Sequence, residues 1–369
     1  MRIATLQFAP KLGDLDGNIR RANDLLQHEK VLSSDGKTRL ALGLLRPELL
    51  VLPEMALTGY NFPSLDAVKP YLEPVGTGPS AAWARDTAKR LHCKVCVGYP
   101  EIEANGDGPL PAKYYNSLVV VDEHGQVLHN YRKSFLYYTD DTWASEGNME
   151  RGFHELSFRD ANPSTHPSDL GGDIPRYVDA KASASDALEE ATANEKRVAT
   201  SFGICMDINP YKFQAPWTKW EFANQVLDTR SQLVILSMAW LTHMSREELN
   251  ELDGQPEMDT FNYWLQRFWP LLEKRMQHEG GDPDGPKQVV IVFSNRAGEE
   301  PAADDDKPPV QYAGTSAVVA VTQRPRLKGS QEELEVKILC WDLLGAVEEG
   351  ICFADTSADP KLVFGLKTR

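Results

Sequence analysis

The feature that most constrains this sequence is a series of short apolar runs separated by amphipathic stretches. Each run is rich in Val, Ile or Leu, which is typical of strands that are buried on both faces. Such runs occupy residues 2–8, 49–52, 95–99, 117–121, 127–131, 198–204, 233–238, 289–293, 315–321 and 336–341. Helical stretches lie between them at residues 18–30, 80–92, 217–229 and 258–277. Because strands alternate with helices, the sequence predicts an α/β fold built of layers.

A turn sequence within this series predicts that the sheet is mixed. Asp122-Glu-His-Gly125 separates two of the apolar runs and carries turn-forming residues, which predicts a hairpin. A hairpin joins antiparallel strands, so we expect mixed sheets with helices on one face instead of a doubly wound nucleotide-binding sheet. Neither a G-x-G-x-x-G motif nor a P-loop follows the first run, which further weakens the nucleotide-binding alternative.

Two segments differ in composition from the rest of the 369-residue chain. Residues 154–196 combine several prolines and glycines with an Ala-, Ser- and Glu-rich tract, and they contain little that could be buried. We therefore expect a single domain over residues 1–369 with an insertion at about 154–196 that forms a mobile loop or lid. Residues 299–309 are acidic and end in two adjacent prolines, which predicts a surface loop.

The charge of the chain limits its partners. A formal net charge of −15 disfavours nucleic acid and anionic lipid, because both require a positive surface on the protein. A cationic or neutral ligand is the easier partner. No apolar run approaches the length of a membrane span, and residues 1–8 read as a strand without the pattern of a secretion signal.

Cysteine usage points to the cell interior. The five cysteines are odd in number and irregularly spaced, which fits a reducing compartment better than a disulfide framework. Cys93 and Cys96 match C-x-x-C, but no second pair of zinc ligands follows at metal-site spacing. Packing in an apolar strand is therefore the favoured interpretation of this pair, and we expect a cytoplasmic protein.

Three chemically active side chains each directly follow an apolar run. Glu54 comes after residues 49–52, Lys133 after residues 127–131, and Cys205 after residues 198–204. A charge at one strand end is usually a solvated rim residue, and a lone cysteine there is more often a core residue. Neighbouring strand ends converge in a layered sheet, so together the three form a base, a cation and a nucleophile without a histidine.

The residues after Cys205 predict how the nucleophile is presented. Met206-Asp-Ile-Asn-Pro210 reads as a turn into a helical region, with Asn209 as the cap and Pro210 as the first helical residue. A nucleophile on a sharp strand-to-helix turn is exposed at the edge of the sheet, beside backbone N–H groups of the turn.

These stretches resemble a known family. Pro53-Glu-Met-Ala-Leu-Thr-Gly-Tyr60, Tyr131-Arg-Lys-Ser-Phe-Leu136 and Phe202-Gly-Ile-Cys-Met-Asp207 are similar to the three signature blocks of the nitrilase or carbon-nitrogen hydrolase superfamily, in the family's order. Asn295-Arg296 and residues 312–316 resemble its late strands. The resemblance implies a nitrilase-like αββα sandwich with mixed sheets, which can pair into four layers.

A narrower resemblance concerns the substrate. Residues 60–62, 135–141 and 205–213 are most similar to the eukaryotic branch of this family that acts on protein N-termini. That resemblance implies deamidation of N-terminal Asn and Gln to Asp and Glu in the N-degron pathway, with peptide or protein N-termini as partners. It implies neither a metal nor a cofactor. Dimers are frequent in the superfamily, so by analogy we also consider a homodimer.

The residue types specify a mechanism for such a reaction. Lys133 would favour the Cys205 thiolate, and Glu54 can accept the thiol proton. Cys205 then attacks the amide carbon, while Lys133 and the Met206 backbone N–H hold the oxyanion, at about 3 kcal/mol for such a donor. Ammonia leaves after protonation by Glu54, and a water activated by Glu54 hydrolyses the resulting thioester.

Candidate substrate-binding residues are less well defined by the sequence. The acids that follow the Lys133 block are candidates for binding the α-ammonium group, although at least two of the three are expected to be solvated loop residues. These acids are Asp140, Asp141 and Glu146. Tyr60, Asp207 and Trp240 are further candidates, and Trp143 and Trp217 either wall the pocket with Trp240 or pack in the core.

Other functions remain open on the sequence alone. The closest alternative is an amidase of the same superfamily that acts on small free amides, carbamoyl amines or nitriles. A catalytically silent scaffold of the same fold would be expected to lack Glu54, Lys133 or Cys205, and all three are present. A papain-like Cys/His hydrolase is disfavoured because no histidine lies in any of the blocks.

Overall fold

The strands reproduce the predicted series and add several to it. The computed structural model describes residues 1–33, 36–104, 112–159, 195–277, 285–302, 306–328 and 331–365. In chain order the strands are β1 (Arg2–Gln7), β2 (Lys30–Leu32), β3 (Arg39–Ala41), β4 (Leu49–Val51), β5 (Glu73–Pro74), β6 (Lys94–Glu103), β7 (Lys113–Val121), β8 (Val127–Arg132), β9 (Phe153–Arg159), β10 (Glu195–Ile204), β11 (Leu233–Met238), β12 (Leu241–Thr242), β13 (Lys287–Asn295), β14 (Glu299–Glu300), β15 (Val310–Tyr312), β16 (Ala317–Lys328), β17 (Gln331–Leu343), β18 (Gly350–Asp355) and β19 (Leu362–Gly365). Every apolar run predicted as a strand overlaps one of these strands, so that prediction is confirmed, although the run 315–321 enters its strand only at Ala317.

The helices agree less closely with the sequence pattern. They are α1 (Leu15–His28), α2 (Leu42–Leu45), α3 (Leu65–Val68), α4 (Pro79–Leu91), α5 (Glu221–Asp228), α6 (Arg246–Glu251), α7 (Met258–Arg267) and α8 (Pro270–Glu273). The long helix predicted over residues 258–277 is wrong, because Pro270 lacks an N–H group and begins the separate helix α8. Trp220, with φ of 43°, likewise separates α5 from the 3₁₀ turn Trp217–Lys219.

Two seven-stranded mixed sheets form the body of the structure. The first has the order β18-β1-β4-β6-β7-β8, with β5 paired to β6, and the second has the order β19-β17-β16-β13-β11-β10-β9. In the first sheet β1, β4 and β6 run parallel, whereas β6, β7 and β8 are antiparallel neighbours. The predicted hairpin at residues 122–125 joins β7 to β8, where Gly125 donates to the Asp122 carbonyl at 2.9 Å.

The side chains of strand β4 alternate between two hydrophobic cores, one on each face of the first sheet. Leu49 and Val51 pack in the core shared with the second sheet, whereas Leu50 and Leu52 pack with helices α1 and α4. Successive side chains of a strand point to opposite faces, so a continuous apolar run is required here. The expectation of helices on one face of each sheet is confirmed.

The side chains of strand β13 in the second sheet likewise alternate between the space between the sheets and the outer helices. Ser294 points inward and donates to the Val51 carbonyl of the first sheet at 3.0 Å. Phe293 points outward and stacks on Trp264 of α7, with the ring centroids 5.1 Å apart. The order of layers is therefore helices, sheet, sheet and helices, which confirms the αββα sandwich.

The described residues revise the boundaries of the two unusual segments. Strands β9 and β10 pair antiparallel from Phe153↔Ser201 to Arg159↔Glu195, so both ends of the predicted 154–196 insertion belong to the sheet. Residues 160–194 lie outside the described residues. The surface-loop prediction for residues 299–309 is wrong at Glu300, which is 1% exposed and lies in strand β14.

The cysteines fit the packing interpretation. Cys93 and Cys96 are buried and free, as are the chain's other three cysteines. Burial raises the pKa of the Cys93 thiol to about 12, which removes its reactivity at neutral pH.

A close approach between backbones fixes the segment that follows β4. Gly98 of β6 lies so near this segment that an added Cβ would be 2.8 Å from the Glu54 Cα and 2.7 Å from the Met55 nitrogen. Both of those atoms belong to the backbone and cannot rotate away. Only glycine therefore allows β6 to pass beside Glu54 at this distance.

We predict that Gly98→Ala lowers the free energy of unfolding by about 1–3 kcal/mol, because overpacking must displace backbone. Gly43→Ala in helix α2 is the matched control, since nothing lies within 4 Å of its added Cβ. The control should be neutral or slightly stabilising. Urea unfolding of both variants measures the difference, and equal unfolding midpoints would contradict the close approach at Gly98.

Candidate active site

Glu54 is held where the two sheets meet. Its backbone N–H donates to the Met238 carbonyl of β11 at 3.3 Å, and the Ser237 hydroxyl donates to the Leu52 carbonyl at 3.0 Å. These bonds cross from the end of β4 to the end of β11. The carboxylate that follows β4 is thereby brought over the strand ends of the second sheet.

Cys205 occupies a strained turn at the end of β10. Its φ of 42° lies in the left-handed region, which a non-glycine residue rarely adopts. The residue begins the 3₁₀ turn Cys205–Ile208 and is 8% exposed. The predicted presentation of a nucleophile on a sharp turn therefore corresponds to the observed geometry.

Asp207 holds this turn against the segment that contains Lys133. Its carboxylate accepts hydrogen bonds from the Ile204 N–H at 2.8 Å, the Phe135 N–H at 2.8 Å and the Tyr131 hydroxyl at 2.8 Å, and the Ser134 N–H adds another at 3.0 Å. Asp207 is completely buried. Its candidacy for substrate binding is wrong, because its acceptor positions are occupied by the protein.

Lys133 lies at the centre of the site. The ammonium group donates to Glu54 Oε1 at 2.6 Å and to Asp140 Oδ2 at 2.6 Å, and all three side chains are 0% exposed. The Lys133 backbone N–H donates to the Asn116 carbonyl at 2.8 Å, which places the residue directly beside β7. Among the three candidate acids, Asp140 is the one that joins the predicted residues.

Asn116 completes this cluster and was missed by the sequence analysis. Its amide nitrogen donates to Glu54 Oε1 at 2.6 Å and to Asp140 Oδ1 at 2.9 Å, so it bridges the two carboxylates. The signal in the sequence was a polar residue directly before the apolar run 117–121. Strand β7 carries it on the face of the sheet that lies beside Lys133.

The environment of Cys205 favours the neutral thiol at rest. Burial raises the pKa of the Cys205 thiol well above its usual value, and the negative charge of Glu54 raises it further. Lys133 and a hydrogen bond from the Ala239 N–H lower the pKa but do not outweigh burial. Lys133 thus favours the thiolate, as expected, but burial and Glu54 outweigh it, so deprotonation accompanies attack on a substrate.

Glu54 is suited to receive that proton. Burial raises the pKa of its carboxyl group above the usual value, Lys133 opposes the shift, and Asp140 adds to it. The Ala239 N–H that contacts the thiol also donates to Glu54 Oε2 at 2.8 Å, so one donor lies against both reacting groups. A base with a raised pKa can both accept a proton and return it near neutral pH.

Lys133 keeps its positive charge in this site. Burial alone would lower the pKa of the ammonium group, but the charges of Asp140 and Glu54 outweigh that effect and raise it. Lys133 is therefore a permanent cation, which can stabilise a developing oxyanion but cannot supply a proton near neutral pH. Met206 directly follows Cys205 in the 3₁₀ turn, and its N–H remains a candidate for the second oxyanion donor.

The other predicted substrate residues fall into two groups. Tyr60 is buried, donates to Asp140 Oδ2 at 3.2 Å and belongs to the framework of the cluster. Asp141 and Glu146 are exposed, which confirms that two of the three acids are surface residues. Glu146 accepts a hydrogen bond from the Tyr211 hydroxyl at 2.9 Å and pairs with Lys212 at 3.5 Å.

The aromatic candidates are also divided. Trp143 is 6% exposed and packs in a small core with Met55 and Tyr60, whereas Trp217 is 41% exposed and lies under the Arg267 guanidinium. Trp240 is half-buried beside Ala239, the residue that donates to Glu54. Trp240 thus adjoins the cluster beside Ala239, and Trp143 adjoins it as a packed residue whose backbone N–H donates to the Asp140 carbonyl at 3.0 Å.

The predicted helix start after Cys205 is wrong. Asn209 ends the 3₁₀ turn instead of capping an α-helix, and Pro210 has an extended ψ of 137°. Asn209 Oδ1 accepts a hydrogen bond from the Tyr263 hydroxyl at 2.6 Å, so the side chain binds helix α7 instead of capping a helix that follows. The helical turn begins at Cys205 itself, earlier than the proline signal indicated.

The chain is similar to known proteins over most of its length. Residues 2–209 match the sequence profile of the carbon-nitrogen hydrolase family. The protein N-terminal amidase of Schizosaccharomyces pombe is 30% identical over 359 residues, covering 93% of this chain and 99% of that protein. The protein N-terminal amidase of Saccharomyces cerevisiae is 32% identical over 304 residues, covering 82% of this chain but 58% of its own longer chain.

The fold also has a solved counterpart. A crystal structure of an N-terminal amidase with an Asn-Glu-Ala peptide superimposes with a TM-score of 0.67 at 21% sequence identity. The superposition covers 100% of this chain and 99% of that chain. The two proteins therefore share the arrangement of the whole sandwich.

We predict that alkylation of Cys205 by iodoacetamide has a midpoint above the ordinary thiol pKa of about 8.5. Glu54→Gln should move the midpoint down strongly and Asp140→Asn should move it down less, because both charges raise the pKa of the thiol and Glu54 has the larger effect. Asp141→Asn is the matched control at an exposed neighbour. A midpoint that does not respond to Glu54→Gln would contradict this electrostatic account.

Proposed function

Since this chain belongs to the carbon-nitrogen hydrolase family, we propose that it deamidates N-terminal Asn and Gln residues of peptides and proteins to Asp and Glu, releasing ammonia. The observation that carries the proposal is the buried cluster of Glu54, Lys133 and Asp140 beside Cys205, in a chain that matches a protein N-terminal amidase over 93% of its length. A base, a fixed cation and a thiol are the groups that amide hydrolysis requires.

The first half of the reaction forms a thioester. Glu54 takes the thiol proton as Cys205 Sγ attacks the side-chain amide carbon, and the carbonyl oxygen becomes an oxyanion held by Lys133 and the Met206 N–H. Glu54 then gives the proton to the amide nitrogen, the C–N bond breaks, and ammonia leaves. The acyl group remains bonded to Cys205.

The second half of the reaction restores the thiol. Glu54 takes a proton from a water molecule, whose oxygen attacks the thioester carbon. When the C–S bond breaks, the thiolate recovers the proton and the side chain leaves as a carboxylic acid. Asp140 and Asn116 hold Lys133 and Glu54 in place throughout, so the same geometry serves both halves.

Charge favours a substrate with a free α-ammonium group. The buried cluster contains two carboxylates and one ammonium, so with both acids ionised it carries one excess negative charge. The α-ammonium of an N-terminal Asn is separated from the reacting carbon by two carbons and lies within a few ångströms of it. At that distance in a partly desolvated site, a cation is stabilised by the excess charge.

Glu146 is the acid that we assign to the α-ammonium group. Asp140 is fully engaged, because it accepts hydrogen bonds from Lys133, Asn116, Tyr60 and the Tyr137 N–H. Glu146 is exposed and is oriented by the Tyr211 hydroxyl, which lies in the turn after Cys205. It can therefore exchange its weak contact with Lys212 for a substrate cation.

The cellular setting and assembly follow from less direct observations. Among the described residues, no helix has both the length and the apolar composition needed to cross a bilayer. All five cysteines are free, which supports a cytoplasmic location, where thiols stay reduced. The homodimer rests on analogy with the superfamily, and sedimentation velocity would test it.

Ammonia release from Asn- and Gln-peptides, compared with their N-acetylated forms, free Gln and an internal Asn peptide, tests the proposal. We expect acetylation to lower kcat/KM by at least about 10- to 150-fold, because a hydrogen bond to a charged group contributes about 1.5–3 kcal/mol. Glu146→Gln should raise KM for the free peptide. The matched control Glu150→Gln, at another exposed acid, should not.

Two results would decide against this reading. Equal kcat/KM for free and acetylated peptides would mean that the free N-terminus is not recognised. Faster turnover of free Gln or another small amide than of peptides would favour the alternative amidase within the same family.

A further inference from the structure

A second buried ion pair lies outside the cluster of Glu54, Lys133 and Asp140. Arg296 and Glu300 are 0% and 1% exposed and bind each other directly. Arg296 also donates to the Pro10 carbonyl at 2.6 Å and lies 3.9 Å from the centre of the Tyr312 ring, whose hydroxyl donates to Glu300 Oε2 at 2.6 Å. A buried ion pair is weak evidence of stabilisation by itself, so its placement has to be explained.

Glu300 binds the backbone of the loop that follows Glu54. Its carboxylate accepts the Tyr60 N–H at 3.1 Å and the Asn61 N–H at 2.8 Å. The approach depends on Gly59, whose φ is 81° and whose added Cβ would be 2.7 Å from Glu300 Oε1. The carboxylate thus fixes the position of two consecutive peptide groups.

The side chains of those two residues both reach the turn that contains Asp140. The Tyr60 hydroxyl donates to Asp140 Oδ2 at 3.2 Å, and Asn61 Oδ1 accepts from the Thr139 hydroxyl at 3.2 Å. The Lys133 ammonium lies 5.4 Å from the centre of the Tyr60 ring. Glu300 is therefore connected to Asp140 by two routes through one loop.

We infer that Glu300, oriented by Arg296 and Tyr312, is a positioning residue for the reaction proposed above. It fixes the Tyr60–Asn61 loop so that Asp140 stays within hydrogen-bonding distance of Lys133. This inference rests on the proposed function for its kinetic consequence, but not for its geometry.

Small displacements of Asp140 have a large effect on such a site. The Asp140 contact with Lys133 is 2.6 Å long, and the same ammonium must also bind Glu54 and face the reacting carbonyl. A displacement of about 1 Å in a catalytic arrangement can cost about 100-fold in rate. The described side-chain hydrogen bonds and ion pair of Glu300 go to Arg296, Tyr312 and the Tyr60–Asn61 backbone, so its effect on Lys133 has to pass through the loop and Asp140.

A double-mutant cycle of Glu300→Gln and Asp140→Asn tests the inference. Gln keeps the volume of the side chain but removes the charge and turns an amide N–H₂ toward donors. We expect Glu300→Gln to lower kcat on an Asn-peptide by about 10- to 100-fold with KM little changed. In the Asp140→Asn background the same change should have little further effect, because both act through one contact.

Two further variants keep the result interpretable. Glu299→Gln is the matched control, because Glu299 is the exposed neighbour that pairs with Arg246 at 3.0 Å, and it should retain wild-type kcat. Tyr312→Phe removes one hydroxyl and keeps the ring beneath Arg296. Tyr312→Phe should also lower kcat, so it keeps the inference testable if Glu300→Gln fails to fold.

A readout without substrate separates this inference from the proposed function. Glu300→Gln should shift the pH midpoint of Cys205 alkylation in the same direction as Asp140→Asn, whichever substrate the enzyme uses. If the wild-type protein releases no ammonia but the shift is present, the proposed function is overturned and the inference stands. A wild-type kcat in folded Glu300→Gln or Tyr312→Phe would overturn the inference. So would a loss of kcat from Glu300→Gln that is as large in the Asp140→Asn background as in the wild type.

Discussion

The structure depends on one fully buried ammonium group that is shared by two carboxylates. Lys133 binds Glu54 and Asp140 at 2.6 Å each, with none of the three side chains exposed. Taking such charges out of water costs several kcal/mol per ion, and removing one partner from a buried pair costs about 3–5 kcal/mol. The cluster persists because Asn116, the Ala239 N–H and Tyr60 satisfy the remaining acceptor positions. Burial and the charge of Glu54 raise the pKa of the Cys205 thiol, whereas Lys133 and the Ala239 N–H lower it, and burial also raises the pKa of the Glu54 carboxyl group that receives the thiol proton.

Much of this arrangement could be predicted because it is encoded locally. The apolar runs buried on both faces identify the strands, and Glu54, Lys133 and Cys205 each follow one of them directly. Strand ends of stacked sheets converge, so the residue types at those ends indicate the site before any distance is known. The signature blocks add the order of layers, because the periodicity of single strands does not determine how sheets stack.

The remaining features depend on contacts between residues far apart in the sequence. Glu300 looks like part of an acidic loop, yet strand β14 and the Arg296 side chain bury it against the Tyr60 backbone. Asn116 and Asp207 are polar residues whose partners come from other strands, so their roles appear only when those strands are in place. Strand β18 pairs with β1 from the opposite end of the chain, and no local signal specifies that pairing.

Mass spectrometry of the enzyme, quenched early in turnover of an Asn-peptide, tests most directly whether Cys205 is acylated. The account predicts an enzyme species heavier by the mass of the peptide minus ammonia, with the added mass on the proteolytic fragment that contains Cys205. The species should be absent in Cys205→Ala, which should keep its fold because the replacement is small. Acylation of another residue, or ammonia release by Cys205→Ala at the wild-type rate, would contradict the account.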